Sequence, residues 1–338
     1  MEFLTRLRRR TSTLTRAVLR QPLRVTTLVP AYKVKYLEEL LISLQHQTVK
    51  PARIIISDDS PDQSFVREIA GDALKPVLAG LNIRVVPGPR SGAYNNFLHL
   101  LEQWNSDTEL FHFLLDDDII YPRFYESHVA AHAGGAISCS ISRRWTALES
   151  GQPIGALPVP RKVAARPQRL LSIDAKEAFG STVPRCNNWF GELSNVVLRA
   201  DQAETLRDPR LGGISYTGLE DIGAFLNASL SAPIGFINDH LGYFRRSPQQ
   251  NSSNMMGRPM KLAHLAWVAL AIGGRRVGTM RRTQARKCFS VMGEMLTTAY
   301  TNEADMQPFL AVMPALMAAE AGAEDRFLHA WDTYRAAR

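Results

Sequence analysis

Three acidic groups carry the chemistry in this sequence. Asp116-Asp117-Asp118 follows the apolar run FHFLL (111–115), Asp58-Asp59-Ser60 follows RIIIS (53–57), and Glu220-Asp221 follows Gly218-Leu219. A run as apolar as FHFLL predicts a strand buried on both faces, so Asp116 would emerge beside low-dielectric protein, where unpaired carboxylates are costly. Something positive should meet them. Oxygen-only ligands suit a hard divalent cation such as Mg2+ or Mn2+, itself bridging phosphates, better than they suit zinc. Each group also has a plainer reading: an acidic turn facing solvent for the triplet, a helix cap for Asp58, and acids favoured by the helix dipole at Glu220-Asp221.

The elements that must position these residues alternate in type. VTTLV (25–29), RIIIS (53–57), NIRVV (82–86) and ELFHFLL (109–115) read as strands. VKYLEELLISLQHQ (34–47), a polar stretch from Gln63, YNNFLHLLEQW (94–104) and PRFYESHVAAH (122–132) read as helices between and after them. That alternation predicts βαβ units, hence an α/β fold with a mostly parallel sheet flanked by helices. Ligands of open α/β sheets sit at the carboxyl ends of the strands, and here those ends carry Pro30-Ala31-Tyr32, Asp58-Asp59-Ser60, Ser91-Gly92 and the triplet. Two acidic clusters are therefore expected on one rim. Residues 142–184 lack a clear period and read as long loops over that rim, whereas the chain after Asn254 reads as helical to its end.

The order and spacing of these segments resemble glycosyltransferase family 2 with the GT-A fold. The resemblance is carried by 25–62, SGAYNNFLHLLEQ (91–103), FHFLLDDDIIYPRFYE (111–126), GELSNVVLRAD (191–201), GLEDIGAF (218–225) and YFRRSPQQNSSN (243–254), together about two thirds of the chain. It implies a GT-A domain over 23–254, with a nucleotide-binding half (23–132) and an acceptor half (133–254), followed by a helical extension (255–338). Pro30, Tyr32, Asp58 and Asp59 match the region that holds the uracil and ribose of a UDP-sugar, and Gly92 and Asn95 flank the nucleotide. Asp116 and Asp118 match the outer positions of the DxD motif: the first meets ribose or metal-bound water, and the last ligates Mn2+ or Mg2+. Asp117 is a substitute ligand, because a triplet leaves the frame open by one residue.

Glu220-Asp221 matches the family's ED pair, with Asp221 as the general base of an inverting transfer. Trp189, Gly191 and Glu192 fall where similar enzymes shape the acceptor pocket, and a Trp face suits a sugar's C–H surface; a packed core Trp is the plainer reading. Arg245 and Arg246 would meet the diphosphate as bidentate donors, or simply be solvated. Many relatives place a metal-binding His just beyond, but Ser247 stands there in this chain, and His240 lies upstream. The implied reaction is sugar transfer from a nucleotide-sugar, a UDP-sugar, to a hydroxyl of a glycan or lipid-linked acceptor. Two other classes stay open. A nucleotidyltransferase could use a similar rim, though the chain has neither a P-loop nor G-x-G-x-x-G, and a non-catalytic nucleotide- or glycan-binding module could retain the fold.

Composition narrows the setting. Of the net charge of +8, six come from residues 1–24, which hold seven Arg against Glu2. Phe3, Leu7, Leu14 and Val18 recur among those arginines at roughly helical spacing, so residues 1–22 are expected either as a basic amphipathic helix on an anionic membrane surface or as a solvated, frayed arm. No apolar signal core is present in the arm, and nucleic-acid binding is not expected, since the arm offers only Phe3 for stacking. Cys139, Cys186 and Cys288 are odd in number and widely spaced, which suits a reducing compartment rather than a disulfide framework. The expected location is cytoplasmic, peripheral at the inner face of the plasma membrane. LAHLAWVALAIGG (262–274) is shorter than the roughly 18–20 residues a spanning helix needs.

Overall fold

The computed structural model describes residues 22–246 and 254–337. The expected amphipathic helix of the arm and the Ser247 position lie outside the described residues. The first half follows the alternation read above: β1 (Val25–Ala31), α1 (Leu37–Gln45), β2 (Arg53–Asp58), α2 (Ser64–Ala70), α3 (Lys75–Leu78) and β3 (Ile83–Pro87). It continues with α4 (Ala93–Trp104), β4 (Leu110–Phe113), the two-residue β5 (Ile119–Ile120) and α5 (Phe124–Gly134).

Residues 142–184 depart from the expected loops. They contain most of β6 (Cys139–Ala147), then β7 (Pro153–Ala156), α6 (Arg161–Ala164), β8 (Leu170–Ile173) and α7 (Ala175–Thr182). The reason is a long-range pairing: CSISRRWTA breaks the apolar pattern of a buried strand with Arg143 and Arg144, and Arg144 is nonetheless buried because it is paired inside the protein with Glu192 at 2.5 Å. The chain goes on through β9 (Val196–Arg199), α8 (Glu204–Arg207), the hairpin of β10 (Arg210–Leu211) and β11 (Ile214–Ser215), α9 (Glu220–Ala228) and the twelve-residue β12 (Ile234–Arg245). Four helices finish it: α10 (Arg258–Arg276), α11 (Arg282–Tyr300), α12 (Gln307–Ala318) and α13 (Ala323–Ala336).

The main sheet has the order β3-β2-β1-β4-β9-β6-β12-β5, with β7 on β6 and β8 on β12. Strands β3, β2, β1 and β4 run parallel, and β6 and β12 are parallel to each other, while β9 is antiparallel to both of its neighbours. Register decides where the chemistry lies: Ala31 pairs with Asp58 and Asp58 with Pro87, so the ends of β1, β2 and β3 are level. Leu114 N donates to Leu28 O at 3.0 Å and brings the triplet to the same edge.

The sheet separates two cores. One face buries Val25, Val29, Ile54 and Ile56 under α1 with Leu37, Leu40, Leu41 and Leu44. The other buries Leu28, Ile55, Phe111 and Phe113 against α4, and this core runs without a break into α10–α13. Trp331 of α13 is fully buried and donates from Nε1 to Ser215 O at 2.9 Å. Fully buried aromatics of this kind hold roughly 3–5 kcal/mol against truncation, so the C-terminal helices are built into the fold. Among the described residues, no helix is long and apolar enough to cross a membrane.

Three histidines sit inside this framework. His112, His128 and His132 are buried, and loss of hydration pushes all three below the usual imidazole range, His112 to about 3 and His132 to about 4. They are neutral structural groups, bonded to Tyr125, Ser140 and the Val197 carbonyl respectively.

Candidate active site

The rim begins where β1 ends. Pro30 is half-buried, Tyr32 is 60% exposed, and the backbone N–H groups of Tyr32 and Lys33 donate to Asp116 Oδ2 at 2.6 and 2.5 Å. Lys33 also pairs with Asp117 through its ammonium group. Burial raises the Asp116 carboxyl to about 6, against the pull of the two backbone amides. At the end of β2 the neighbouring acids divide. Asp58 is buried, with Oδ1 accepting from Ser60 N and Oδ2 from Val66 N at 3.0 Å, whereas Asp59 stays half-buried at the edge and accepts from Arg90 N. Gly92 and Asn95 are exposed at the start of α4, where Asn95 donates to Ser91 O at 2.8 Å.

Asp118 differs from its neighbours in the triplet. It is 1% exposed; Oδ1 accepts from Arg245 N at 3.0 Å, while Oδ2 is buried with no partner in hydrogen-bonding geometry among the described residues, the Ser194 hydroxyl lying near enough to lower the carboxyl's pKa. Burial first, and then the Asp117 charge, hold its carboxyl well above the usual range. Glu192 Oε2 is likewise buried without a partner, and both residues line one cavity of about 10 Å³ together with Arg144 and Ser194. That is room for about one water or ion.

Asp221 lies in the first turn of α9. Its Oδ2 accepts from Asn188 Nδ2 at 3.4 Å, and Oδ1 accepts from Ile222 N at 2.6 Å. Burial, reinforced by the charges of Glu192 and Glu220, lifts its carboxyl to about 7. Glu192 thus lies electrostatically between Asp118 and Asp221, influencing both. Glu220 turns back on its own loop, where Oε1 accepts from Gly218 N at 2.8 Å. Gly218 adopts φ +100°, and a Cβ there would stand 2.7 Å from the Leu262 backbone, so only glycine lets α9 begin against α10.

Four sequence expectations need correction. Trp189 is 1% exposed, packed on Phe190 at 4.0 Å between centroids and bonded from Nε1 to Ser181 Oγ, so its ring is core and offers no face to a sugar. Gly191 is buried as well; at φ +97° it lets Asn195 approach to a distance that a Cβ would close to 2.5 Å. Arg245 is not solvated, and its guanidinium is engaged by groups of the chain itself. It is buried under the triplet, donating to Asp117 O at 2.9 Å, to the Glu149 carbonyl and to Glu39 at 2.6 Å, with its guanidinium 4.3 Å from the Tyr36 ring centroid. Asp58 has both carboxylate oxygens engaged within the chain, which leaves Asp59 as the acid of that cluster at the rim. Arg246 is exposed.

The residues present fit an oxygen-seeking cation, because Asp118 Oδ2 and Glu192 Oε2 are hard, buried oxygen donors without a hydrogen-bond partner among the described residues. Among the described residues no group of three or more His, Cys, Asp or Glu is arranged to hold a metal ion. Protein ligation would therefore be sparse, with substrate oxygens and water completing the set.

An unpaired buried carboxylate destabilises the fold that contains it. A raised folded pKa makes this cost fully present only above that pKa and relieves it as the pH falls through it towards the unfolded carboxyl value near 4. Asp118→Asn, which removes the ionisable group from this buried position, should raise Tm at pH 8 without added cation by roughly 2–6 °C. The gain should shrink at pH 5. Thermal denaturation at both values checks this, and a lower Tm at pH 8 would count against it.

Residues 26–158 match the family model described as glycosyl transferase family 2. None of the curated proteins matches the chain. Among solved structures, S. aureus TarS 1–349 in complex with UDP-GlcNAc is 15% identical over 92% of this chain and 91% of that one, with a TM-score of 0.52. The same protein in complex with UDP is 15% identical over 93% and 92%, with a TM-score of 0.54. A longer S. aureus TarS structure is covered over 55% of its length, and 92% of this chain, at 15% identity and a TM-score of 0.55. At such identity the likeness is one of fold. Residues 26–158 thus match the model of glycosyl transferase family 2, and the chain that contains them has the GT-A fold.

Proposed function

We propose that the protein is a metal-dependent, inverting glycosyltransferase that moves a sugar from a UDP-sugar to a hydroxyl of a glycan or lipid-linked acceptor. The observation that carries the reading is Asp221, a carboxylate raised to about 7 beside Glu192 and facing the same acidic group as Asp118. A base of that strength is half ionised at neutral pH, which suits proton removal from an attacking hydroxyl. The fold shared with TarS, crystallised with UDP-GlcNAc and with UDP, supports a uridine nucleotide as donor.

Within this reading Tyr32, Asp59, Gly92 and Asn95 receive the nucleoside end, and Asp116 fixes the Tyr32–Lys33 backbone that borders it. Asp118, with Glu192 beside it, would hold Mn2+ or Mg2+, which supplies neutralisation of charge on the departing diphosphate. Asp221 takes the proton as the acceptor oxygen attacks from the opposite side, and a single displacement inverts the anomeric centre. Asn188 keeps the Asp221 carboxylate turned towards the loop that carries Glu192.

The test needs no knowledge of the acceptor, since slow transfer to water uses the same base. The rate of UDP release from a UDP-sugar should climb with pH and level off above about 7, the value to which burial lifts Asp221. A rate independent of pH between 5 and 9 would contradict the assignment.

A further inference from the structure

The loop that reaches Asp221 also walls a second concavity. A cleft of about 910 Å³ opens between the segment around α6 and α7 and the start of α11. Four cationic side chains line it (Arg161, Lys162, Arg185 and Lys287), against one carboxylate, Glu177, which is already paired with Arg166. None of the four has a side-chain hydrogen bond or ion pair among the described residues. The wall formed by α11 belongs to the stretch RRVGTMRRTQARK (275–287), which holds six cations and no acid. The two walls are tied together just behind the cleft: Cys186 and Cys288, next to the lining residues Arg185 and Lys287, bring their sulfurs to 3.4 Å.

Concavity and unneutralised charge together describe a site for an anion, because four cations gathered without partners repel one another until a counter-charge arrives. The position says which anion. Ser181, Pro184 and Arg185 line the cleft, and Asn188, three residues after Arg185, bonds to Asp221. One loop therefore serves the cleft and the base. We propose that this cleft binds an anionic group carried by the acceptor, so that the acceptor is a phosphate-, sulfate- or carboxylate-bearing saccharide chain. The inference rests on the glycosyl-transfer reading of the neighbouring site. A membrane face is disfavoured, since the surface is concave and the large exposed apolar side chains of the protein, Leu148, Ile154 and Leu230 among them, are not among its lining residues.

Hydrogen–deuterium exchange on the full chain tests this site by site. The probes are a sulfated hexasaccharide, neutral maltohexaose, phosphatidylserine vesicles and, separately, UDP with Mn2+. The proposal expects the sulfated probe to protect 160–187 and 281–288, with no such effect of the neutral one. The concentration needed should rise about tenfold or more when Arg161, Lys162, Arg185 and Lys287 are all replaced by Ala. A charge-matched control, with Arg67, Lys75, Arg123 and Arg326 replaced by Ala, should behave as wild type. Equal weakening in the control, protection confined to residues 1–24, or protection of the cleft by vesicles but not by the hexasaccharide would each overturn it. UDP protection around 58–60 and 116–118 is read independently: its absence would count against the transferase reading while leaving the anion cleft standing.

Discussion

Asp221→Asn should lower sugar transfer, measured as UDP release, by about 10²–10⁴-fold while leaving UDP affinity within about twofold of wild type. The substitution keeps the shape of the side chain and one acceptor oxygen, which can meet either Asn188 Nδ2 or Ile222 N but not both, so the fold around it should stay in place with the loss of one hydrogen bond. What it removes is a basic site matched to neutral pH. Burial sets that basicity first, and the Glu192 and Glu220 charges add to it. A companion change separates basicity from geometry: Glu192→Gln removes one neighbouring charge, so the pH at which the rate levels off should move down. A variant Asp221→Asn that retained full turnover would show that another group takes the proton.

The largest loss of stability should come from Arg245→Ala, at about 3–5 kcal/mol, or a fall in Tm of roughly 6–10 °C for a chain of this size. The guanidinium is buried among Asp117 O, the Glu149 carbonyl, the Glu39 carboxylate and the rings of Tyr36 and Tyr243. Truncation leaves two inward carbonyls without this donor and removes the cation paired with Glu39. Lysine cannot replace it, since one ammonium group cannot reach partners arranged around a planar fork. Arg245→Lys should therefore recover less than half of the loss, and because the same residue holds the Asp117–Asp118 backbone, both variants should also weaken UDP binding. Thermal and urea denaturation read the first effect; a Tm within 2 °C of wild type for the alanine variant would contradict the role.

What the sequence disclosed follows from which patterns are local. The strand ends are legible because VTTLV, RIIIS and FHFLL are apolar runs that stop abruptly at Pro, Asp or a charged triplet, and parallel strands bring such stops to one rim. Asp118 is a candidate on that basis, whereas Glu192, as an acceptor-pocket residue, and Asp221, as the base, are candidates through the family resemblance alone; Glu192 shares a cavity with Asp118 and its charge acts on Asp221. Trp189 and Arg245 were misplaced because exposure is a property of tertiary packing, and neither residue type announces its partner. The same holds for β6: Arg144 looks like a surface residue until Glu192, 48 positions away, neutralises it inside the protein. Arg144, Asn188, Lys33 and Ser194 went unnoticed for this reason. Lys33 alone carried a signal, as the first cation after the β1 end that faces the triplet.

The central claim is that the acidic rim is a donor site completed by a divalent cation. Calorimetric titration of UDP into the protein, with and without Mn2+, for wild type and Asp118→Ala, tests it most directly. The account predicts that wild type binds UDP, that Mn2+ tightens binding, and that the variant loses the Mn2+-dependent part. Absence of UDP binding to wild type under both conditions, or an equal Mn2+ effect in the variant, would contradict it.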